Sequence, residues 1–220
     1  MARSAESYKQ LSIREFTKAA KNYESGKAGI YKMCRKDYPP ILAEIRTEPF
    51  ETLLDAGCGT APMVSLLSEA YPQAAFVGLD LTPEMIRKAE QKQLPNAEFV
   101  VGDCEAMPFA DGRFDLVINS QSFHHYPNPQ AFFNEVARVL KPNGRLILRD
   151  NTGPRAVMWF VNHVELPLAN LIGHGDVKAH PLDEVRAFCE KAGLRVEKLE
   201  RQKGFRLHLV ARKRAQHNRA

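Results

Sequence analysis

The residues best placed to do chemistry gather around Leu53-Leu54-Asp55-Ala56-Gly57-Cys58-Gly59-Thr60-Ala61. A short apolar run ends there in an acid and two glycines, the composition of a first strand-to-helix turn. Glycine lets the backbone bend tightly and approach a ligand closely. The helix that follows offers free N–H groups. Asp80 ends the next apolar run, 23 residues after Gly57, where a carboxylate can accept both hydroxyls of a ribose. Asp103 follows a third run, in Gly102-Asp103-Cys104-Glu105-Ala106-Met107-Pro108-Phe109, and can meet the exocyclic amine of an adenine. Pro62 stands where G-x-G-x-x-G needs its third glycine. The pyrophosphate-binding pattern therefore fails, which argues against an NAD-dependent oxidoreductase. His124 and His125 follow a fourth run, where an imidazole could take a proton from a nucleophile or orient it. No metal is expected there: adjacent histidines point apart unless the turn bends them, and no third ligand is spaced for it.

Alternating strands and helices must bring these residues together. Residues 52–55, 75–80, 98–102, 114–120 and 145–150 read as short strands, the fourth apolar enough to be buried on both faces. Helical spacing fills 62–70, 83–92, 129–140 and 181–192. Thr82 and Pro83 open the second of these helices, and Gly193 closes the last. A turn at Lys141-Pro142-Asn143-Gly144 is expected to separate the third helix from the fifth strand. Runs 194–202 and 205–212, joined by Lys203-Gly204, predict an antiparallel hairpin. The fold class is α/β: a Rossmann-like, doubly wound sheet with helices on both faces, parallel except for one antiparallel strand near an edge. Residues 1–45 read as a helical extension broken near Ser25-Gly26 and Pro39-Pro40, with Tyr8, Phe16, Tyr23 and Tyr31 making it amphipathic. Residues 46–214 form the main domain, with a variable insert at 151–180, and 215–220 make a frayed tail.

Hydrophobic residues at 44% and charged residues at 26% exclude a disordered or fibrous chain. No apolar stretch reaches the ~20 residues a membrane span needs, and the N-terminus lacks the apolar core of a secretion signal. Cys34, Cys58, Cys104 and Cys189 contain no C-x-x-C pair, so reduced thiols in a cytoplasm are expected. Charge is segregated: residues 1–36 carry +6, residues 195–220 carry +7 and the middle carries −8. A body that gripped nucleic acid would be basic in its centre, so nucleic acid is an unlikely partner.

Taken together, these motifs resemble the small class I S-adenosylmethionine-dependent methyltransferases of the methyltransferase type 11, or UbiE-like, kind. Leu53–Ala61 matches that family's first motif, residues 77–80 its ribose-binding acid and residues 102–109 its adenine-contact segment. Phe-Asp-Leu-Val-Ile-Asn-Ser-Gln-Ser-Phe-His-His at 114–125 matches its fourth strand. Residues 138–148 match its fifth-strand region, with Asn143 where a glycine is usual. The resemblance implies a seven-stranded sheet and S-adenosylmethionine as cofactor, leaving as S-adenosylhomocysteine. It places Asp55, Gly57, Gly59, Asp80, Leu81, Met85, Asp103, Cys104, Asn119 and Ser120 around that cofactor, with Met107 as a further apolar wall. His124 or His125 would stand at the reacting end, while Tyr23, Tyr31, Trp159 and His163 would line the acceptor pocket. The implied reaction moves a methyl group to an O, N, C or S nucleophile of a small, partly hydrophobic molecule, carried out by a monomer or homodimer. The alternatives are an RNA methyltransferase and a non-catalytic cofactor-binding relative. Against the first, Asn119-Ser120-Gln121-Ser122 lacks the Asn/Asp-Pro-Pro-aromatic motif of amino-methylating enzymes of nucleic acids. The N-terminal segment is expected to close over the cofactor as a lid.

Overall fold

Alternation of side chains along each strand sets the architecture. In β1 (Thr52–Ala56), Leu54 and Ala56 enter one core while Leu53 enters the other. The same two-residue period recurs in β4 (Phe114–Ser120), where Val117 faces opposite to Leu116 and Ile118. A strand buried on both faces needs a helical layer on each. A computed structural model of the chain, describing residues 4–25, 34–171 and 173–215, supplies both layers. The remaining strands are β2 (Ala75–Asp80), β3 (Ala97–Val101), β5 (Leu140–Asn151), β6 (Leu194–Gln202) and β7 (Arg206–Lys213).

One seven-stranded sheet results, in the order β3-β2-β1-β4-β5-β7-β6. Strands β1 to β5 pair in parallel, and β7 runs antiparallel to both β5 and β6. This is the expected Rossmann-like sheet. The helices are α1 (Ala5–Ala20), α2 (Tyr38–Ile45), α3 (Pro62–Ala70), α4 (Pro83–Glu90), α5 (Pro129–Val139), α6 (Arg155–Phe160), α7 (Leu166–Leu171) and α8 (Leu182–Lys191). Helices α5 and α8 cover one face through Phe132, Phe133, Val136, Val185 and Cys189. Helices α2 and α3 cover the other through Ile41, Ile45, Val64 and Leu67.

Two expectations are corrected. Lys141-Pro142-Asn143-Gly144 does not separate helix from strand, because it lies inside the span of β5. The register slips there, from Phe114 opposite Leu140 to Leu116 opposite Arg145. Asn143 takes the left-handed φ of 64° that the bulge requires, a conformation asparagine tolerates. Pro39-Pro40 does not break the N-terminal helices either. Both prolines sit in the first turn of α2, where their missing N–H groups have no helical partner to lose. Gly26, Tyr31 and residues 216–220 lie outside the described residues.

The N-terminal segment is tied to the sheet by charge. Asp37, 1% exposed, accepts from Arg149 Nε at 2.9 Å and from Gln121 Nε2 at 2.9 Å. Arg206 Nε stands 3.7 Å from the same carboxylate. Removing Asp37 would strand Arg149, whose side chain is 4% exposed. Asp37→Ala is expected to cost about 3–5 kcal/mol in denaturant unfolding, and pairing it with Arg149→Met should recover most of that loss. A loss below about 1 kcal/mol would mean the pair holds nothing together.

Candidate functional site

The carboxyl ends of β1, β2 and β4 open into a cleft of about 680 Å³, counted to its open mouth. Its floor is the turn after β1. Gly57 and Cys58 donate their N–H groups to the carbonyl of Leu79, at 2.7 and 3.0 Å, which ties this turn to the end of β2. Gly57 has φ +82°, and a Cβ built on it would stand 2.1 Å from Ser122 Oγ. No other residue type fits there. Asp80 closes the second side. One carboxylate oxygen accepts from Gly59 N at 2.9 Å and the other from Thr82 N at 2.8 Å. With the Thr82 side chain bonded to it as well, the carboxylate still keeps acceptor capacity for a ligand. Burial raises the Asp80 pKa, and the Thr82 and Gly59 amides partly offset that rise.

Asp103 and Glu105 form the third side. Glu105 N donates to Asp103 Oδ1 at 2.8 Å. Lys9 of α1 reaches across and meets both carboxylates at 2.6 Å. Burial would lower the Lys9 pKa, but the two acids outweigh it and hold the ammonium charged. Ser12, Phe16 and Tyr23 bring the rest of the N-terminal segment to the same cleft. Ser120 Oγ and Gln121 Oε1 line it too, buried and without a hydrogen-bond partner. Orphaned polar atoms facing a cleft are what a polar ligand would satisfy.

Of the residues expected from sequence, Tyr23, Gly57, Gly59, Asp80, Leu81, Met85, Asp103, Cys104, Ser120 and His125 line this cleft. Asp55 and Asn119 lie beneath it. Asn119 Nδ2 donates to the Ala56 carbonyl at 2.7 Å and to Tyr126 Oη at 3.0 Å, so it braces the wall. Met107 is packed in the core. Trp159 and His163 are not brought to the cleft. They stack on each other with ring centroids 4.9 Å apart, and Trp159 is 60% exposed. A π-helical turn, Val161–Glu165, follows α6, and His163 Nδ1 lies 2.8 Å from the Trp159 carbonyl within this helical stretch. Lys9, Glu105, Gln121, Ser122 and Tyr126 are cleft residues that the motifs did not single out.

The two histidines depart most from expectation. A 3₁₀ turn, Phe123–His125, brings their rings to 4.2 Å between centroids, tilted by 40°. His125 lines the cleft, whereas His124 sits behind it. His124 Nδ1 lies 2.7 Å from Asp150 Oδ1, and its Nε2 lies 3.2 Å from Asp176 Oδ1. His125 Nδ1 is 3.5 Å from that same oxygen. A carboxylate thus stands beside both rings, from a segment more than fifty residues downstream. Val177 N and Lys178 N hold it in place by donating to the His124 carbonyl at 2.9 and 3.1 Å. Burial would lower the His124 pKa, but Asp150 and Asp176 outweigh it and raise it. Burial and the charged His124 lower that of His125.

A family model described as a methyltransferase domain matches residues 54–148. The phthiotriol/phenolphthiotriol dimycocerosates methyltransferase of Mycobacterium leprae is 42% identical over 99 residues, which are 44% of this chain and 37% of that protein. The fatty-acid O-methyltransferase of Mycolicibacterium smegmatis is 38% identical over 99 residues, 44% of this chain and 36% of that protein. The chain thus spans well under half the length of these curated relatives. A solved S-adenosylmethionine-dependent methyltransferase from Aquifex aeolicus superposes with a TM-score of 0.68 over 90% of this chain and 98% of that one. At 21% identity, that likeness establishes the shared fold.

Asp55 gives this floor a pH dependence. Burial, and then the charge of Asp80, push its pKa from 3.8 to about 7. Between those values the folded chain binds the proton and the unfolded chain does not, so stability falls as pH rises through that window. Asp55→Asn stays neutral. Its melting temperature should exceed that of the wild type at pH 8, and the gap should close towards pH 4. A gap independent of pH would show that Asp55 is not protonated in the folded state.

Proposed function

From the match of residues 54–148 to a methyltransferase-domain model, we propose that the chain uses S-adenosylmethionine to methylate an oxygen nucleophile of a small molecule with an apolar body. The observation that carries this reading is the floor of the cleft. Gly57 leaves room for a ligand against the backbone, and Asp80 is fixed by two amides with lone pairs to spare. Asp80 would hold the ribose hydroxyls and Asp103 the adenine amine. Leu81 and Met85 would supply apolar contact, and the Gly57–Gly59 backbone with Asp55 beneath it would receive the ammonium end. Cys104 and Ser120 would complete the wall, with Asn119 bracing it. When bound, S-adenosylmethionine supplies a methyl group on a cationic sulfur.

The protein's own task is then to place an acceptor oxygen near ~3 Å from that group and in line with it. His125 and Ser122 line the cleft and are assigned to the acceptor end, with His124 behind. Helix α1 is assigned the role of a lid, because Lys9, Ser12, Phe16 and Tyr23 all line the cleft from one segment. Such a cover excludes water from the reacting atoms. The oxygen acceptor is supported by the likeness to the fatty-acid O-methyltransferase. Its apolar character is supported by Leu81, Met85 and Phe16 in the lining of the cleft.

A nucleic-acid acceptor finds less support, because basic side chains near the C-terminus are paired internally. Arg212 meets Glu48 and Glu197, and Lys198 meets Glu44. Among the described residues, no helix is long and apolar enough to cross a membrane. Four buried free thiols are in keeping with a reducing cytoplasm.

Calorimetry should show S-adenosylhomocysteine binding and no binding of NAD. Charge-assisted bonds are worth about 1.5–3 kcal/mol each, so Asp80→Asn should weaken binding by roughly one to two orders of magnitude. With labelled methyl donor, long-chain carboxylic acids and phenols should become methyl esters and ethers. Binding of NAD in place of S-adenosylhomocysteine, or label in none of these acceptors, would overturn the reading.

A further inference from the structure

Asp150, His124, Asp176 and His125 form a linked group that cofactor binding leaves unused. His124 Nδ1 and Asp150 Oδ1, 2.7 Å apart, make a carboxylate–imidazole pair that fixes the ring and turns Nε2 towards Asp176. Nε2, held 3.2 Å from Asp176 Oδ1, is the ring atom left to meet an ion, which would take the place of its proton. His125 Nδ1 faces the same oxygen from 3.5 Å, buried and without a hydrogen-bond partner. Two imidazoles and a carboxylate therefore converge, each offering one ligand atom within 4.8 Å of the others. A positive charge at their centre is what makes that arrangement favourable.

We infer that His124, His125 and Asp176 form a binding site for one divalent transition-metal ion, with Asp150 as the carboxylate that orients His124. The spacing fits. An ion about 2.0–2.2 Å from each ligand separates neighbouring ligand atoms by about 3.0–3.5 Å, from octahedral to tetrahedral edges. Two imidazoles and one carboxylate select zinc, cobalt, iron or manganese over magnesium and calcium. The ligands are also held from outside. The backbone around Asp176 is pinned to the His124 carbonyl through Val177 and Lys178. Glu15 of α1 accepts from Gly175 N at 2.8 Å, and Gly175 has no room for a Cβ beside Ser12.

Three protein ligands leave coordination positions open. His125 lines the cleft, so a group in the cleft can complete the shell. An oxygen bound there would shed its proton more readily, which is what an acceptor hydroxyl needs. That use rests on the function proposed above, whereas the site stands on its side chains alone.

The test uses the full chain, stripped with chelator and titrated with Co²⁺ in the absence of cofactor and acceptor. One Co²⁺ per chain is expected, with X-ray absorption showing two imidazole nitrogens in its shell. Asp176→Asn and His125→Gln should each weaken binding by tenfold or more, and Asp150→Asn by 10- to 100-fold. Wild-type protein that takes up no Co²⁺, or binds it without imidazole, would overturn the site even if the variants fail to fold. Variants that fold and bind Co²⁺ as the wild type does would overturn it equally. S-adenosylhomocysteine calorimetry on the metal-free chain tests the cofactor reading separately.

Discussion

Strands β1 and β4 lie side by side, but the chain leaves them in opposite directions. From β1 it goes outward to β2 and β3, and from β4 to β5 and the hairpin. No crossover helix can cover the carboxyl ends of both strands, so a crevice is left between them. Everything at the site answers that one constraint. The Gly57 turn and the Ser122 turn meet across the crevice so closely that a side chain on one would collide with the other. Asp80 and Asp103 close it on the β2 and β3 side, and His125 closes it on the β4 side. Helix α1 then supplies a roof that the sheet cannot.

What the sequence made legible was what is local. A glycine turn after an apolar run, with an acid at the end of the next two runs, is written in a few consecutive residues. Its geometry is fixed by strand pairing alone. The doubly wound, mostly parallel class of the sheet followed from the same alternation. Contacts between distant segments left no such mark. Lys9 lies 94 residues from Asp103, and no periodicity links them. Asp176 meets His124 only because the backbone after α7 folds onto the His124 carbonyl. The adjacent histidine rings approach each other through a 3₁₀ turn that no sequence pattern announces. Nor does a helical pattern say which way the side chains of Trp159 and His163 will turn when a π turn interrupts it.

The uneven charge of the sequence is resolved in space rather than at a partner's surface. Two positive ends and a negative middle fold together so that Arg212 reaches Glu48 and Lys198 reaches Glu44. Exposed pairs of this kind contribute little to stability one by one. The Asp37–Arg149 pair is different, because both partners are removed from water and neither can be spared. The same segregation brings Lys9 of the basic end to the acids of the cleft.

Lys9 makes entry to the cleft an exchange. Whatever takes the oxygens of Asp103 must first displace an ammonium held at 2.6 Å by two carboxylates. A neutral ligand edge arriving there inherits the electrostatics of the bond it breaks. Dissolved ions screen attraction between charges that water can reach, so added salt loosens the occupant more than the newcomer. Occupancy at this end of the cleft therefore rises with ionic strength, opposite to the trend for a ligand that binds by its own charge.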